Sequence, residues 1–533
     1  MADDAPNQPK EVAAAEPIFT FARFFEKVSP SKNVNVSDVC TPSIEVPRWK
    51  VLCASLVLTA FGADLWTISR YGSATPNWDE WGGLATELFV PYFDSTLSLQ
   101  QMFAVHVEHR IFTTRVVSLA LIAANGIWDP ILQMIVNAAI HVALGVCILA
   151  MFRKYLDHRA FIAVTIFITL LVAIPYASES LLLDFNTHFY CVLLFGLIAL
   201  NLVVRESGFT VLRLLGLVAA TLSFLSLASG AFVFAVCAIV VIGKRLLGVE
   251  NGWREIAVEF LLIACFVFAL AVTPISLSSQ VIGAHSFQEF IGAFLTKAGW
   301  PLSGNILGAT FVNLPWLILV WRILRRPPSS ASVCWAVFAI GLWNGLQFAS
   351  LAYGRAGATI PGSRYLDICI FGLMINFAYA AVASDTLRKK LLLAGWVAVI
   401  SAGLVYRAMN IPGELEQRHH LGVLHENNVR AFLATGSFLP GASPFDFSLP
   451  FPDPRLLAEL LSDKRVQRFL PSNVQDAIIE NSGAAQPSAR RDRLGSVRDS
   501  LLRAGPFLFL TGLVLWFAVL FRSALNRRTV HGH

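Results

Sequence analysis

The sequence predicts an all-α, polytopic membrane protein: a bundle of about twelve transmembrane helices with outer loops and a small, mostly helical extracytoplasmic domain. Three observations predict it. Of 533 residues, 56% are hydrophobic and only 14% are Asp, Glu, Lys or Arg, against about 25% charged in an average soluble protein. Mean hydropathy is +0.62, more than one globule of this size buries, so part of the apolar surface must face lipid. The apolar residues come in long runs rather than alternating over about ten residues, which selects helices over a β-barrel. These features exclude a soluble enzyme, a disordered chain and a small disulfide scaffold. The net charge of +6 sits in short clusters between the runs, a pattern that reports membrane topology and not nucleic-acid binding.

Residues 1–49 read as a cytoplasmic N-terminal tail. No apolar h-region follows a basic start, so no signal peptide is expected. Within the tail, IFTFARFFEKV (18–28) fits a short amphipathic helix on the membrane surface. The transmembrane core runs over 50–406. A span needs about 20 mostly apolar residues. The runs at 51–69, 130–152, 160–175, 188–204, 211–227, 230–246, 256–274, 304–321, 331–351, 366–384 and 391–406 meet that need, and 505–521 supplies a twelfth before the tail that ends at 533. TTRVVSLALIAAN (113–125) has thirteen residues and reads as a juxtamembrane helix. With the N-terminus cytoplasmic, the short inner loops and C-terminal tail hold seventeen Lys and Arg. The short outer loops hold six: Arg70, Arg110, Arg115, Lys297, Arg355 and Arg364. The positive-inside rule therefore places both termini in the cytoplasm.

Three outer segments stand out by length: 70–129, 275–303 and 407–504. The last mixes short amphipathic stretches, proline and the polar linker NSGAAQPSARRDR, and reads as the extracytoplasmic domain. Of eight cysteines, seven fall in apolar runs and Cys40 lies in the tail. No Cys-x-x-Cys pair exists, so they read as small hydrophobes rather than a zinc or disulfide framework.

Polar chemistry gathers on the outer side. NWDEW (77–81) sets Asp79 and Glu80 between Trp78 and Trp81, and tryptophans favour the membrane interface. The bland alternative is a solvated loop capping a helix. HVEHR (106–110) follows. If helical, it puts His106, His109 and Arg110 on one face by i, i+3 and i+4 spacing, with Glu108 aside to fix a rotamer. Their alternative role is interfacial packing. GRAGATIPGSRY (354–365) carries Arg355 and Arg364 around a Gly/Pro turn, with Tyr365 and Asp367 opening a helix. Arginine suits phosphate because its planar fork donates two parallel hydrogen bonds and stays charged; the alternative is anchoring of helix ends, the role expected of Arg70 and Arg115. ESLLLDFNTH adds Glu179, Asp184 and His188, the last two lining a site or capping the fourth span. Asp64 lies inside the first span, where an acid is costly and a functional candidate. Asn137 and His141, an i, i+4 pair, read as interhelical hydrogen-bond formers.

Acids and arginines on one face of such a bundle suggest transfer from a lipid-linked anionic donor. A carboxylate takes the proton of an acceptor hydroxyl, the hydroxyl attacks an anomeric carbon, and the lipid phosphate leaves, stabilised by arginine and histidine. With the many spans, the long first outer loop bearing Asp79 and Glu80 just after the first span, the HVEHR and SRY (363–365) stretches and the late outer domain, the chain resembles the bacterial C-type (GT-C) membrane glycosyltransferases. The resemblance covers the layout of the whole chain through short motifs. It implies Asp79 or Glu80 as the catalytic acid residue, a polyprenyl-phosphate sugar donor, a glycan or lipid-linked acceptor and a bacterial inner membrane. Donor phosphate falls to Arg110, Arg355, Arg364, His106, His109 and Tyr365, with Glu108, Asp64, Asp184 and His188 in support. No metal ligand set is expected; a divalent cation (Mg or Mn) on Asp79 and Glu80 is the alternative. Partners are the donor, the acceptor and membrane lipids, with no nucleic acid; oligomeric state is open. Competing functions are a surface-glycan polymerase, a lipid-linked-sugar transporter or flippase, and a non-catalytic assembly subunit.

Overall fold

A computed structural model describes residues 49–274, 281–357, 362–482 and 492–530. The amphipathic segment at 18–28, Cys40 and most of the polar linker lie outside these residues. Among the described residues the chain is helical and forms no β-strand.

The helices that organise the molecule are α1 (Trp49–Tyr71), the π-wound α2 (Glu80–Phe89), α3 (Phe112–Asn125), α4 (Pro130–Phe152), α5 (His158–Ala173) and α6 (Thr187–Arg205). There follow α7 (Val211–Ser226), α8 (Phe232–Leu246), α9 (Trp253–Ala271), α10 (Phe287–Ala298), α11 (Ile306–Val312) and α12 (Leu314–Arg325). The rest are α13 (Val333–Gly354), α14 (Leu366–Val382), α15 (Leu387–Ala408), α16 (Ile411–Thr435), α17 (Pro454–Ser462), α18 (Ser472–Ser482) and α19 (Gly495–Val530).

Among the described residues, eight helices are long and apolar enough to cross a membrane, or nine if the pair Ile306–Val312 and Leu314–Arg325, bent by 69°, is one span. Twelve is not reached on these criteria, for physical reasons. Two of the expected spans are the 16-residue helices α5 and α7, each about 24 Å long against a hydrocarbon core of about 30 Å. The expected span at 256–274 is α9, which carries Glu255 and Glu259; Arg213 and Arg245 neutralise them at 3.0 and 2.8 Å. Pro315, near the start of α12, removes a helical donor and breaks the run at 304–321. The segment at 113–125 is a short helix, α3, as its length required.

The first and last spans pack along each other. A Cβ on Gly62 would meet the Phe509 backbone N at 2.3 Å, and one on Gly512 would meet the Thr59 backbone N at 2.5 Å. Only glycine permits this approach, the usual device for helix association in lipid.

Among the described residues, the buried apolar side chains form two cores. The larger lies among the spans. The smaller joins α2 and Trp128 of segment 70–129 to Val429, Leu457 and Phe469 of segment 407–504. Trp128 N–H donates to the Phe469 carbonyl at 2.8 Å, and Phe89 meets both rings edge-on. The segments 70–129 and 407–504 therefore share one apolar core. The span at 391–406 belongs to a 49-residue stretch, Leu387–Thr435, that reaches this core at Val429. Six described cysteines are free thiols; Cys334 departs from the expectation and is disulfide-bonded.

Candidate active site

The two acids of NWDEW separate on folding. Trp78 takes a positive φ of 51°, its N–H donates to the Pro450 carbonyl at 2.7 Å, and its ring stacks on Phe447. That turn sets Asp79 at the start of α2 with no side-chain cap bond and its side chain 54% exposed, so helix capping does not account for it. Glu80 is 2% exposed. Its Oε2 accepts from Asn77 N–H at 2.6 Å, and its carboxyl faces that of Asp184. Burial first, then repulsion from Asp184, pushes Glu80 well above the usual carboxylate range. Asp79 goes the other way: burial works to raise it, but ion pairing with His106 and the charge of Arg364 hold it below its ordinary value.

HVEHR is not helical. His106 and His109 exchange backbone hydrogen bonds at 2.7 and 2.9 Å, forming an isolated antiparallel bridge with Val107 at φ 56°. A β-branched residue there is a steric outlier, held only by surrounding contacts. The single helical face expected for His106, His109 and Arg110 therefore does not form. The turn gives its histidines opposite electrostatics. His106 lies between two carboxylates, Nε2 3.8 Å from Asp79 Oδ1 and Nδ1 3.7 Å from Glu87 Oε1. Burial opposes its charge, but the two acids carry it up to about 9. His109 is taken down to about 4 by burial, against Glu108, with Arg355 and Arg364 adding repulsion. Its Nδ1 lies 3.4 Å from Ala228 N–H, the acceptor role open to a neutral ring. Arg110 turns away, donating to the Val272 carbonyl at 2.8 Å and lying over Phe224.

The SRY stretch forms one 3-10 turn, Ser363–Tyr365, leading into α14. Arg364 Nη1 donates to Glu179 Oε1 at 2.9 Å, and its guanidinium lies over Tyr365. Glu179 N–H donates to Ser363 Oγ at 3.1 Å. Arg355 Nη2 donates to Glu108 Oε1 at 2.6 Å. The charge of Arg364 acts on both Asp79 and His109. Folding thus gathers Asp79, His106, His109, Glu108, Arg355, Arg364 and Tyr365 from three stretches of sequence.

The supporting residues divide. Asp184 accepts from Trp128 Nε1 at 3.2 Å and is buried. His188 Nδ1 lies 3.1 Å from Thr114 Oγ1, and its ring packs beside Phe189. Asp64 is inside the bundle, 3.6 Å from His141 Nδ1. Asn137 donates to the Asp184 carbonyl at 3.0 Å and accepts from Thr187 Oγ1 at 2.7 Å, the interhelical role expected of it.

Three site residues carried no local signal. Arg418 lies 3.5 Å from Glu179 Oε2, placing a second guanidinium on the acid that Arg364 holds. Glu87 binds His106, and Arg115 binds Glu87 at 2.6 Å. Arg115 is not the expected surface anchor: its side chain is fully buried and also donates to the Met102 and Ala104 carbonyls. Among the described residues, no group of three or more His, Cys, Asp or Glu could hold a metal ion. Comparison of the chain with protein-family models, with curated proteins and with solved structures finds no match.

Proposed function

We propose that this membrane protein is an inverting glycosyltransferase that moves a sugar from a polyprenyl-phosphate donor to a glycan or lipid-linked acceptor outside a bacterial inner membrane. In this reading the shorter apolar helices complete about twelve crossings of a GT-C-like bundle, and both termini are cytoplasmic. The observation that carries it is Asp79. It is a solvent-accessible carboxylate, held ionised beside His106 and within the field of Arg364.

The chemistry needs few groups. Asp79 accepts the proton of the acceptor hydroxyl as its oxygen forms a bond to the anomeric carbon. The bond from that carbon to the phosphate oxygen breaks, and the electron pair leaves with the lipid phosphate. Arg364 and Arg355, with protonated His106, supply positive charge where that oxygen becomes anionic. One displacement inverts the centre. Glu80, buried and pushed well above the usual carboxylate range beside Asp184, supports the loop rather than acting as the base.

A lipid-linked-sugar transporter is the second reading, favoured by the Asp64–His141 pair inside the bundle, since ionisable groups within spans often mark transport paths. A glycan comparison separates the two. Surface polysaccharide and lipid-linked intermediates are analysed after deletion of the gene and after its restoration as wild type, Asp79→Asn, Glu80→Gln or Arg364→Ala. Loss of one sugar, restored by wild type but not by Asp79→Asn, supports transfer. A change in chain length alone points to a polymerase. Restoration by all three variants removes the outer site from the reaction and favours transport or assembly.

A further inference from the structure

His106 is held from every side. Its ring sits edge-on to Phe185 at 5.3 Å between centroids. A Cβ on Gly83 would come within 2.8 Å of the Phe185 ring and 3.2 Å of His106, so only glycine leaves room for both rings. The backbone at either end of the 106–109 turn is closed by paired hydrogen bonds. Two carboxylates address its two nitrogens, both at ion-pair rather than hydrogen-bond distance. The Nε2 is buried and makes no hydrogen bond; it faces Asp79 Oδ1 at 3.8 Å.

Glu87 is the fixed member of this set. It lies on α2, the helix that Asp79 immediately precedes. Its Oε2 is 2.6 Å from Arg115 Nη2 on α3. Arg115 is itself clamped by the carbonyls of Met102 and Ala104. The order is Arg115, Glu87, His106, Asp79, running from a fully buried guanidinium to a half-exposed carboxylate. Such a chain fixes which nitrogen of an imidazole faces the reacting side, as carboxylates do for ligating and catalytic histidines.

We propose that Glu87 is a positioning residue of the candidate site: anchored by Arg115, it holds His106 by Nδ1 and delivers Nε2 to Asp79. Glu87 touches no substrate in this account; it acts through His106. The role of Asp79 rests on the reading given under Proposed function, whereas the placement of His106 by Glu87 does not. The charged groups that act on the ring are Glu87 from α2 and Asp79 just before it, with His109 across the turn and His188 from α6. Only the two acids favour its proton.

The test is a histidine titration of the full chain in detergent micelles, by NMR of ring-labelled histidine, with His106 assigned through His106→Gln. Glu87→Gln keeps shape and removes charge. It should lower the His106 midpoint by about one unit or more, tenfold in the protonation equilibrium, and Glu87→Asp should recover part of the shift. Should Glu87→Gln not fold, Asp79→Asn, at an exposed position, must lower the same midpoint by its own contribution. An unchanged midpoint in either charge-removing variant overturns the proposal. Wild-type His106 titrating at an ordinary histidine value also overturns it. A second arm follows sugar transfer against pH in membrane vesicles: the upper limb should move down in Glu87→Gln in step with His106. A limb that stays in place while the midpoint moves overturns the positioning role. Absence of any glycan change on gene deletion would instead end the transferase reading, leaving the titration to decide on Glu87 alone.

Discussion

Arg355 Nη2 donates to Glu108 Oε1 at 2.6 Å, across 247 residues of sequence. The pair ties the 106–109 turn to the C-terminal end of α13. Both side chains are more than four-fifths covered. Removing one partner leaves the other charge poorly solvated, which costs more than the pair contributes. Glu108→Gln and Arg355→Gln should each lower thermal stability and loosen the 106–109 turn. The double variant should cost less than the sum of the two, with a coupling of about 1–3 kcal/mol. Thermal melts of the four proteins in one detergent check this; additive losses would sink it.

Asp79 and Glu80 are adjacent, yet their replacement should differ in kind. Asp79→Asn should leave the melting temperature close to wild type, because the side chain is 54% exposed, and lower sugar transfer by about a hundredfold or more, the scale of a lost general base. Glu80→Gln replaces a carboxyl whose charged form burial and Asp184 disfavour, so it should retain transfer and folding. Glycan restoration and melting of both variants decide it. Full activity in Asp79→Asn, or none in well-folded Glu80→Gln, reverses the assignment.

The pH profile follows from the shifts of His106 and Asp79. His106 is raised to about 9, so its stabilisation of the site is fully present below its ordinary value and is lost as pH rises through about 9. Asp79 is lowered, so its contribution is present above its ordinary carboxylate value and is lost as pH falls through the depressed one. Transfer should therefore hold a plateau across neutral pH, with its upper limb near 9. Rates in sealed vesicles across pH 4–10 would show this. An upper limb at the ordinary histidine value would contradict the Asp79–His106–Glu87 arrangement.

The contact between the first and last spans has no room for a side chain at Gly62 or Gly512. Because the obstructing atoms include backbone, the helices must part. Gly512→Val should lower stability by about 1–3 kcal/mol, the scale of overpacking, and expose the C-terminal helix to protease. Gly243→Ala, where the added atom meets nothing within 4 Å, serves as the control. Equal melting of the two variants would contradict the packing.

Phe469 anchors the core shared by segments 70–129 and 407–504. It is fully buried, meets Phe89 edge-on, stacks on Phe93, and its carbonyl accepts from Trp128. Phe469→Ala should cost about 3–5 kcal/mol and release segment 407–504 from α2. Limited proteolysis at residues 436–453 should accelerate while the spans stay intact. An unchanged cleavage rate would mean that the two segments do not share a core.

The sequence by itself determined the class of the molecule. Composition and run length dictate helices in lipid, because an unpaired backbone cannot cross a bilayer, and α1, α4, α6 and α13 lie where their apolar runs placed them. It also put Asp79, His106 and Arg364 in polar segments outside those runs. Only the tertiary structure decided what each does. No residue in His-Val-Glu-His prefers a positive φ, so nothing local announced a turn; the pairing of Glu108 with Arg355 comes from a distant helix end. Adjacent Asp79 and Glu80 are equal as residues and opposite in environment, because Asp184 and the α2 core close over one and solvent reaches the other. Glu87, Arg115 and Arg418 entered the site through partners remote in sequence. Helix periodicity is written in neighbouring residues, whereas burial and charge pairing depend on which distant segments meet. That is why the bundle was largely legible in advance and the division of labour within the site was not.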